Sequence, residues 1–255
     1  VRTLKEATEA VDKILLYSIP SADNEGDWRN IITFVADDED LNDHIDQSEQ
    51  MAKSIESSHP ELNIDKIYLD SYVQVAAPGG NRYPDVNKAI SQRVEKGSLI
   101  LNYTGHGGET GWAHEEVLKV NEITNWANRN ALPVFVTATC EFSRYDDPGR
   151  HSAGEYVLTN PTGGSIALFT TTRPTYGTPN FELNKKFYQY ALSNPETGRL
   201  RMGDIIMNSK RDKGANENGR KYVLLGDPAL RIAFPELNVV TTKVNGVQVG
   251  NGQDT

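Results

Sequence analysis

Short runs of apolar β-formers, separated by segments with helical spacing, dominate the chain between residues 31 and 225. Ile31 to Ala36, Ile67 to Tyr72, Ser98 to Tyr103, Pro133 to Ala138 and Ser165 to Thr171 are bounded by polar or turn residues and read as strands. Amphipathic stretches between them predict helices over about 41–57, 84–95, 121–128, 152–158, 180–192 and 202–212. Upstream, Thr3-Leu4-Lys5-Glu6 has capping-box form, and Leu4, Ala7, Val11 and Leu15 keep helical spacing to Tyr17. Strands that alternate with helices over this length predict an α/β unit, a mainly parallel sheet with helices on both faces. The tail differs: two short β runs flank Asn245-Gly246, a hairpin signal, and read as the first strands of a further β domain.

Two of the strand runs carry chemistry at their tips. The first leads into Asn102-Tyr103-Thr104-Gly105-His106-Gly107-Gly108-Glu109-Thr110-Gly111-Trp112, the second into Thr137-Ala138-Thr139-Cys140. The 26 residues from Gly107 to Leu132 suffice for a helical crossover, so the two strands should lie parallel. Their carboxyl ends then face the crevice in which open α/β sheets hold ligands. A free cysteine at a strand end ordinarily packs as a small hydrophobe, and a histidine in a Gly-rich turn ordinarily serves the loop. Together at successive strand ends they point to a nucleophile and its base, because an imidazole makes the thiolate available to a thiol whose free pKa is about 8.5. Cys140 is the expected nucleophile and His106 the base, with the amides of Gly107 and Cys140 as donors to a developing oxyanion.

Composition narrows the class. With 255 residues and 37% hydrophobic positions, the chain can bury one large core. Lys and Arg number 26 against 35 Asp and Glu, and the net charge of −9 argues against nucleic acid as a partner. Apolar runs stay well short of the ~20 residues of a membrane helix. Cys140 is the sole cysteine, so no internal disulfide forms and the thiol is free for chemistry. The start at Val1 without a basic and apolar leader suggests a processed or excised chain.

The segment from Asn102 to Trp112, followed 34 residues after His106 by Cys140, resembles the gingipain-type cysteine peptidases, a caspase-like family with its dyad on adjacent strand ends. The likeness covers about 28–235 and includes Gly226-Asp227-Pro228. Thr139 to Pro148 and Ser152-Ala153-Gly154-Glu155 are closer to sortase-type members that act in type IX secretion. The resemblance implies a caspase-like catalytic domain over 23–235, preceded over 1–22 by a helix and linker from an amino-terminal part and followed over 236–255 by the start of an immunoglobulin-like sandwich. It further implies a peptidase at the cell surface, associated with the outer membrane. Such an enzyme removes the C-terminal signal domain of secreted proteins, works beside other surface proteins of the secretion system, and passes the acyl group to a lipopolysaccharide amine.

In that family an acid orients the histidine, and Asp37 or Asp38, in the acidic run after the first strand, holds the corresponding place. Where gingipains carry the acid that reads a basic residue before the scissile bond, this chain has His44, with Asp43 and Asp46 close by. The expected residue at that substrate position is therefore small, polar or apolar, since a buried cation needs a carboxylate partner. Trp112, Glu141 and Arg173 are further candidates for the substrate cleft, as is His114. No residue set has metal-ligand spacing and no cofactor is required; the acidic run lacks the regularity of an EF-hand, leaving Ca²⁺ as a structural ion only. The contrasting reading is a catalytically silent caspase-like module that binds cargo signals.

Overall fold

The computed structural model describes residues 1–193, 198–212, 218–235, 241–245 and 247–248. Six strands make the central sheet: β1 (Ile31–Ala36), β2 (Asn63–Tyr68), β3 (Ile100–Thr104), β4 (Val134–Ala138), β5 (Ala167–Thr171) and β6 (Tyr222–Leu225). Their spatial order is β2-β1-β3-β4-β5-β6; the first five run parallel and β6 is antiparallel to β5. Helices are α1 (Leu4–Ser18), α2 (Asp43–Ser58), α3 (Pro84–Lys96), α4 (Val120–Asn125), α5 (Ala153–Thr159), α6 (Gly177–Ala191) and α7 (Met202–Arg211).

Each inner strand is buried on both faces, and alternate residues feed two separate cores. Ile32, Phe34, Ile100, Val134, Val136 and Phe169 pack under α2, α6 and α7. Val35, Leu101, Tyr103, Phe135 and Leu168 pack under α3, α4 and α5. A buried polar tie joins the layers: Asn102 on β3 and Asn184 on α6 exchange amide hydrogen bonds of 2.8 and 3.2 Å. Lys13 of α1 is buried as well, donating to the carbonyls of Leu158, Asn160 and Gly163. Among the described residues, no helix is long and apolar enough to cross a membrane.

Several elements depart from the sequence reading. The strand expected over Ile67 to Tyr72 runs instead over Asn63–Tyr68, with a 3-10 turn at Leu69–Ser71. As an edge strand it is only half buried, and its polar residues Asp65 and Lys66 conceal it from a search for apolar runs. The segment before α3, where the sequence reading placed neither strand nor helix, contains a short hairpin of Val75–Ala77 with Gly80–Arg82. The crossover after β3 folds into a three-stranded miniature sheet, Gly107–Gly108, Gly111–Trp112 and Leu118–Lys119, before a short α4. In the tail, Lys243–Val244 pairs antiparallel with Val247–Gln248; the rest of the segment assigned to a following sandwich lies largely outside the described residues.

Trp112 must be reassigned. Its side chain is fully buried and stacks on Tyr103, with ring centroids 4.2 Å apart and planes at 3°, against Phe135 and Phe142. It supports the His106 loop from beneath and does not present its ring to a substrate. We therefore expect Trp112→Ala to cost about 3–5 kcal/mol in urea unfolding. An unchanged unfolding midpoint with impaired substrate binding would restore the cleft role.

Candidate active site

Sheet order places the site. The chain moves outward from β1 to β2, then returns to the other side of β1 to form β3, so strand order reverses between β1 and β3. Crevices open at the carboxyl ends of strands at such a point. Asp37 follows β1 and His106 follows β3 by two residues. On the adjacent β4, Thr104 pairs with Ala138, so His106 and Cys140 sit equally far past a matched pair. Small residues let the two turns close: a Cβ on Gly107 would lie 2.6 Å from Thr139 Oγ1, and one on Gly105 2.4 Å from Asp37 Cβ.

The His106 backbone is fixed at three points. Its N–H donates to Asp37 Oδ2 at 2.9 Å, and its carbonyl accepts from Tyr103 Oη at 2.6 Å and from the Ala113 N–H at 2.8 Å. Asp37 is fully buried, and burial raises its carboxyl above the usual range against the opposing effect of these amide donors. Asp38 instead accepts from Tyr83 Oη at 2.6 Å. Neither touches the imidazole, which corrects the expectation that one of them orients the ring. That contact comes from the next two residues: His106 Nε2 lies 3.1 Å from Asp40 Oδ2 and 3.6 Å from Glu39 Oε2. With Nε2 engaged, Nδ1 is the ring nitrogen left to exchange a proton, and it makes no hydrogen bond among the described residues.

The acidic loop reaches the ring by an uncommon path. Asp40, Leu41 and Asn42 all take left-handed backbone angles, with φ of 55°, 58° and 67°. Each such residue costs on the order of 1–3 kcal/mol, a cost typical of functional loops. Leu41, 98% exposed, gains nothing from burial in return.

Cys140 is partly exposed and held by one residue: Sγ donates to the Thr175 carbonyl at 3.6 Å, and the Thr175 N–H points back at 3.4 Å. Thr175 is in turn fixed by its hydroxyl, which donates to the Thr139 carbonyl at 3.2 Å and accepts from Asn180 Nδ2 at 2.9 Å. No hydrogen bond joins Sγ to the imidazole. The Cys140 N–H donates to no group among the described residues, as an oxyanion donor requires. Glu141 follows in a left-handed conformation at φ 48°, and its carboxylate lies 3.8 Å from Arg144. Arg173 is exposed and bonded to Asp146, so its guanidinium is engaged at the rim.

A cavity of about 440 Å³ opens between the acidic loop and the start of α6, lined by Asp40, Leu41, Asp43, His44, Gln47 and Thr178. His44 sits in its wall, edge-on to His106 at 5.4 Å between ring centroids. Asp43 reaches the wall as well, whereas Asp46 does not. His114 stacks on the face of His106 at 5.1 Å and bonds to Glu39 at 2.9 Å. The sequence reading left the roles of Glu39 and Asp40 inside a generic acidic run, because a left-handed turn of non-glycine residues has no pattern to betray it. Thr175 had no signal at all, since its function is carried by its backbone.

A parallel sheet with helices on both faces, a cysteine and a histidine at matched strand ends and a cavity beside them define the class: a caspase-like fold. Residues 1–233 match peptidase family C25, and the chain belongs to this family of cysteine peptidases. Among solved structures it is similar to the Arg-specific cysteine proteinase gingipain R, 18% identical with a TM-score of 0.72 over 91% of this chain and 54% of that one. The complex of Porphyromonas gingivalis RgpB pro- and mature domains gives 15% identity and a TM-score of 0.70, covering 91% and 55%. The Saccharomyces cerevisiae separase–securin complex gives 12% and 0.52, covering 86% of this chain and 13% of that one. The chain thus spans about half the length of the gingipain chains it resembles. No curated protein matches it.

Burial lowers the pKa of His44, partly offset by the Asp37 carboxylate. Below the unfolded value of about 6.5, the unfolded chain takes up a proton that the folded chain resists, so stability falls as pH falls. In buffer containing a chelator, the melting temperature should drop more steeply from pH 7.5 to 5 for the natural chain than for His44→Gln. Parallel curves would show that His44 titrates alike in both states.

Proposed function

We propose that the chain is an endopeptidase in which Cys140 attacks the scissile carbonyl, His106 takes and returns the proton, and the amides of Cys140 and Gly107 stabilise the oxyanion. The observation that carries this reading is the Thr104 to Ala138 pairing, which sets the only thiol and a histidine with an anchored backbone at neighbouring strand ends in a family of cysteine peptidases. Asp40, with Glu39, orients the ring through Nε2. Asp37 holds the backbone that carries it.

Within the family, the motifs around Cys140 favour a role like that of the type IX secretion sortase, PorU. The substrates are then secreted proteins with C-terminal signal domains, and the acyl acceptor is water or an amine on surface lipopolysaccharide. On this reading the protein works at the cell surface, associated with the outer membrane beside other secretion-system proteins, and requires no cofactor; Ca²⁺ would serve only as a structural ion. The position of Asp43 bears on selectivity. With Asp40 it makes the cavity wall acidic, which repels acidic side chains before the scissile bond and accommodates cationic ones better than the sequence alone suggested.

Two outcomes test these proposals. Cys140→Ala and His106→Ala should each abolish cleavage of cargo while leaving the melting temperature nearly unchanged, and a peptide electrophile should label Cys140 far more slowly in the His106→Ala protein. Substantial cleavage by either variant would sink the dyad and favour a silent binding module. In a peptide library, acidic residues should be rejected at the position before the scissile bond, and Asp43→Asn should shift any preference away from Lys and Arg toward neutral residues. A profile indifferent to that substitution would remove Asp43 from the pocket.

A further inference from the structure

The surroundings of His106 hold more ligating groups than a proton relay needs. Asp40 Oδ2 lies 3.1 Å from His106 Nε2 and 3.4 Å from His44 Nε2. One ligand atom from each of Asp40, His44 and His106 falls within 4.8 Å of the other two. Around a tetrahedral Zn²⁺ with bonds of 2.0–2.1 Å, neighbouring ligand atoms stand roughly 3.3 Å apart. The carboxylate edges of this triangle already have that length.

His44 supplies an independent observation. Its residue is only 8% exposed, and neither ring nitrogen has a hydrogen-bond partner. A buried polar atom without a partner costs about 1–3 kcal/mol and calls for an explanation. Packing alone would be served by an apolar side chain at this position on α2. The imidazole is held beside Asp40 in the wall of the cavity and edge-on to His106, where a metal ion would satisfy its Nε2.

We infer that Asp40, His44 and His106 form an inhibitory Zn²⁺ site that reversibly takes the general base out of service. Two imidazoles and one carboxylate are a zinc-type donor set with a fourth position open to water, and they lack the six to eight oxygens that Ca²⁺ requires. Metal on His106 Nε2 leaves the second ring nitrogen as an N–H, which can no longer accept the Cys140 proton. No bond to sulfur is needed, and no group is oxidised or reduced. Glu39 and His114 form an alternative set with the same histidine; the burial of His44 favours the set with Asp40. The inhibitory consequence rests on the peptidase reading, but the binding site does not.

Calorimetric titration with Zn²⁺ alone tests the site. One ion should bind per natural chain, and Cys140→Ala should bind it equally well, without thiolate charge-transfer absorption when Co²⁺ replaces zinc. His44→Ala, its fold control His44→Gln and Asp40→Asn should each weaken binding at least ~10-fold, while His114→Ala should stay within about threefold of the natural chain. Zinc should also slow labelling of Cys140 by the peptide electrophile, with recovery on adding a chelator. Loss of binding in Cys140→Ala would put the metal on the thiol, and loss in His114→Ala with retention in His44→Ala would put it on the Glu39 and His114 set; either overturns the inference. A metal-free protein that binds zinc but neither cleaves nor labels would refute the peptidase reading and leave the metal site standing.

Discussion

One hydrogen bond, from the His106 N–H to the buried Asp37 carboxylate, holds the site together. It links the ends of β1 and β3 at the point where strand order reverses. There the ladder between the two strands ends with the Asp37 N–H on the Thr104 carbonyl at 3.1 Å, and the Asp37 side chain carries the link two residues further, to His106. Burying a carboxylate to make this link is costly, as its raised pKa records. In return the histidine's main chain is fixed while its ring stays partly exposed, with Nε2 against Asp40. Tyr103 completes the arrangement from below, with its ring in the core against Trp112 and its hydroxyl on the His106 carbonyl.

The active edge divides labour between backbone and side chains. Cys140 is positioned by Thr175, whose peptide group meets the sulfur as both acceptor and donor. Asn180 transmits the placement of α6 to that residue through a single amide. His106 is positioned by Asp37 and Tyr103 through its backbone and by Glu39 and Asp40 at its ring. Cys140 and His106 are thereby supported by different elements: α6 reaches the sulfur through Asn180 and Thr175, while the segments after β1 and at the end of β3 hold the histidine.

How much of this was legible in the sequence depends on what each element does. Strands buried on both faces, such as Val134–Ala138, announce themselves as unbroken apolar runs, and their ends fell within a residue or two of expectation. The edge strand did not, because an edge must carry charge. Cys140 and His106 were visible because glycines and β-formers surround them in sequence. The acids that touch the ring were not separable from their neighbours: Asp37, Asp38, Glu39 and Asp40 are chemically alike, and only the left-handed turn over Asp40 to Asn42 decides which carboxylate faces where. Trp112 was misread for a similar reason, since a tryptophan beside a catalytic loop has the same sequence signature whether it faces solvent or core.

The edge strand β2 has a bearing on what the protein accepts as a guest. An unguarded sheet rim is a template on which any extended chain can be added as a further strand. On β2, Asp65 is bonded to Arg93 at 2.7 Å and Lys66 to Glu49 and Glu56 at 3.0 and 3.4 Å. A polypeptide docking there would have to displace these paired charges or lie across them. The β2 rim is thereby guarded against added strands, and a chain approaching from that side meets paired charges before it reaches the carboxyl-end crevice beside Cys140.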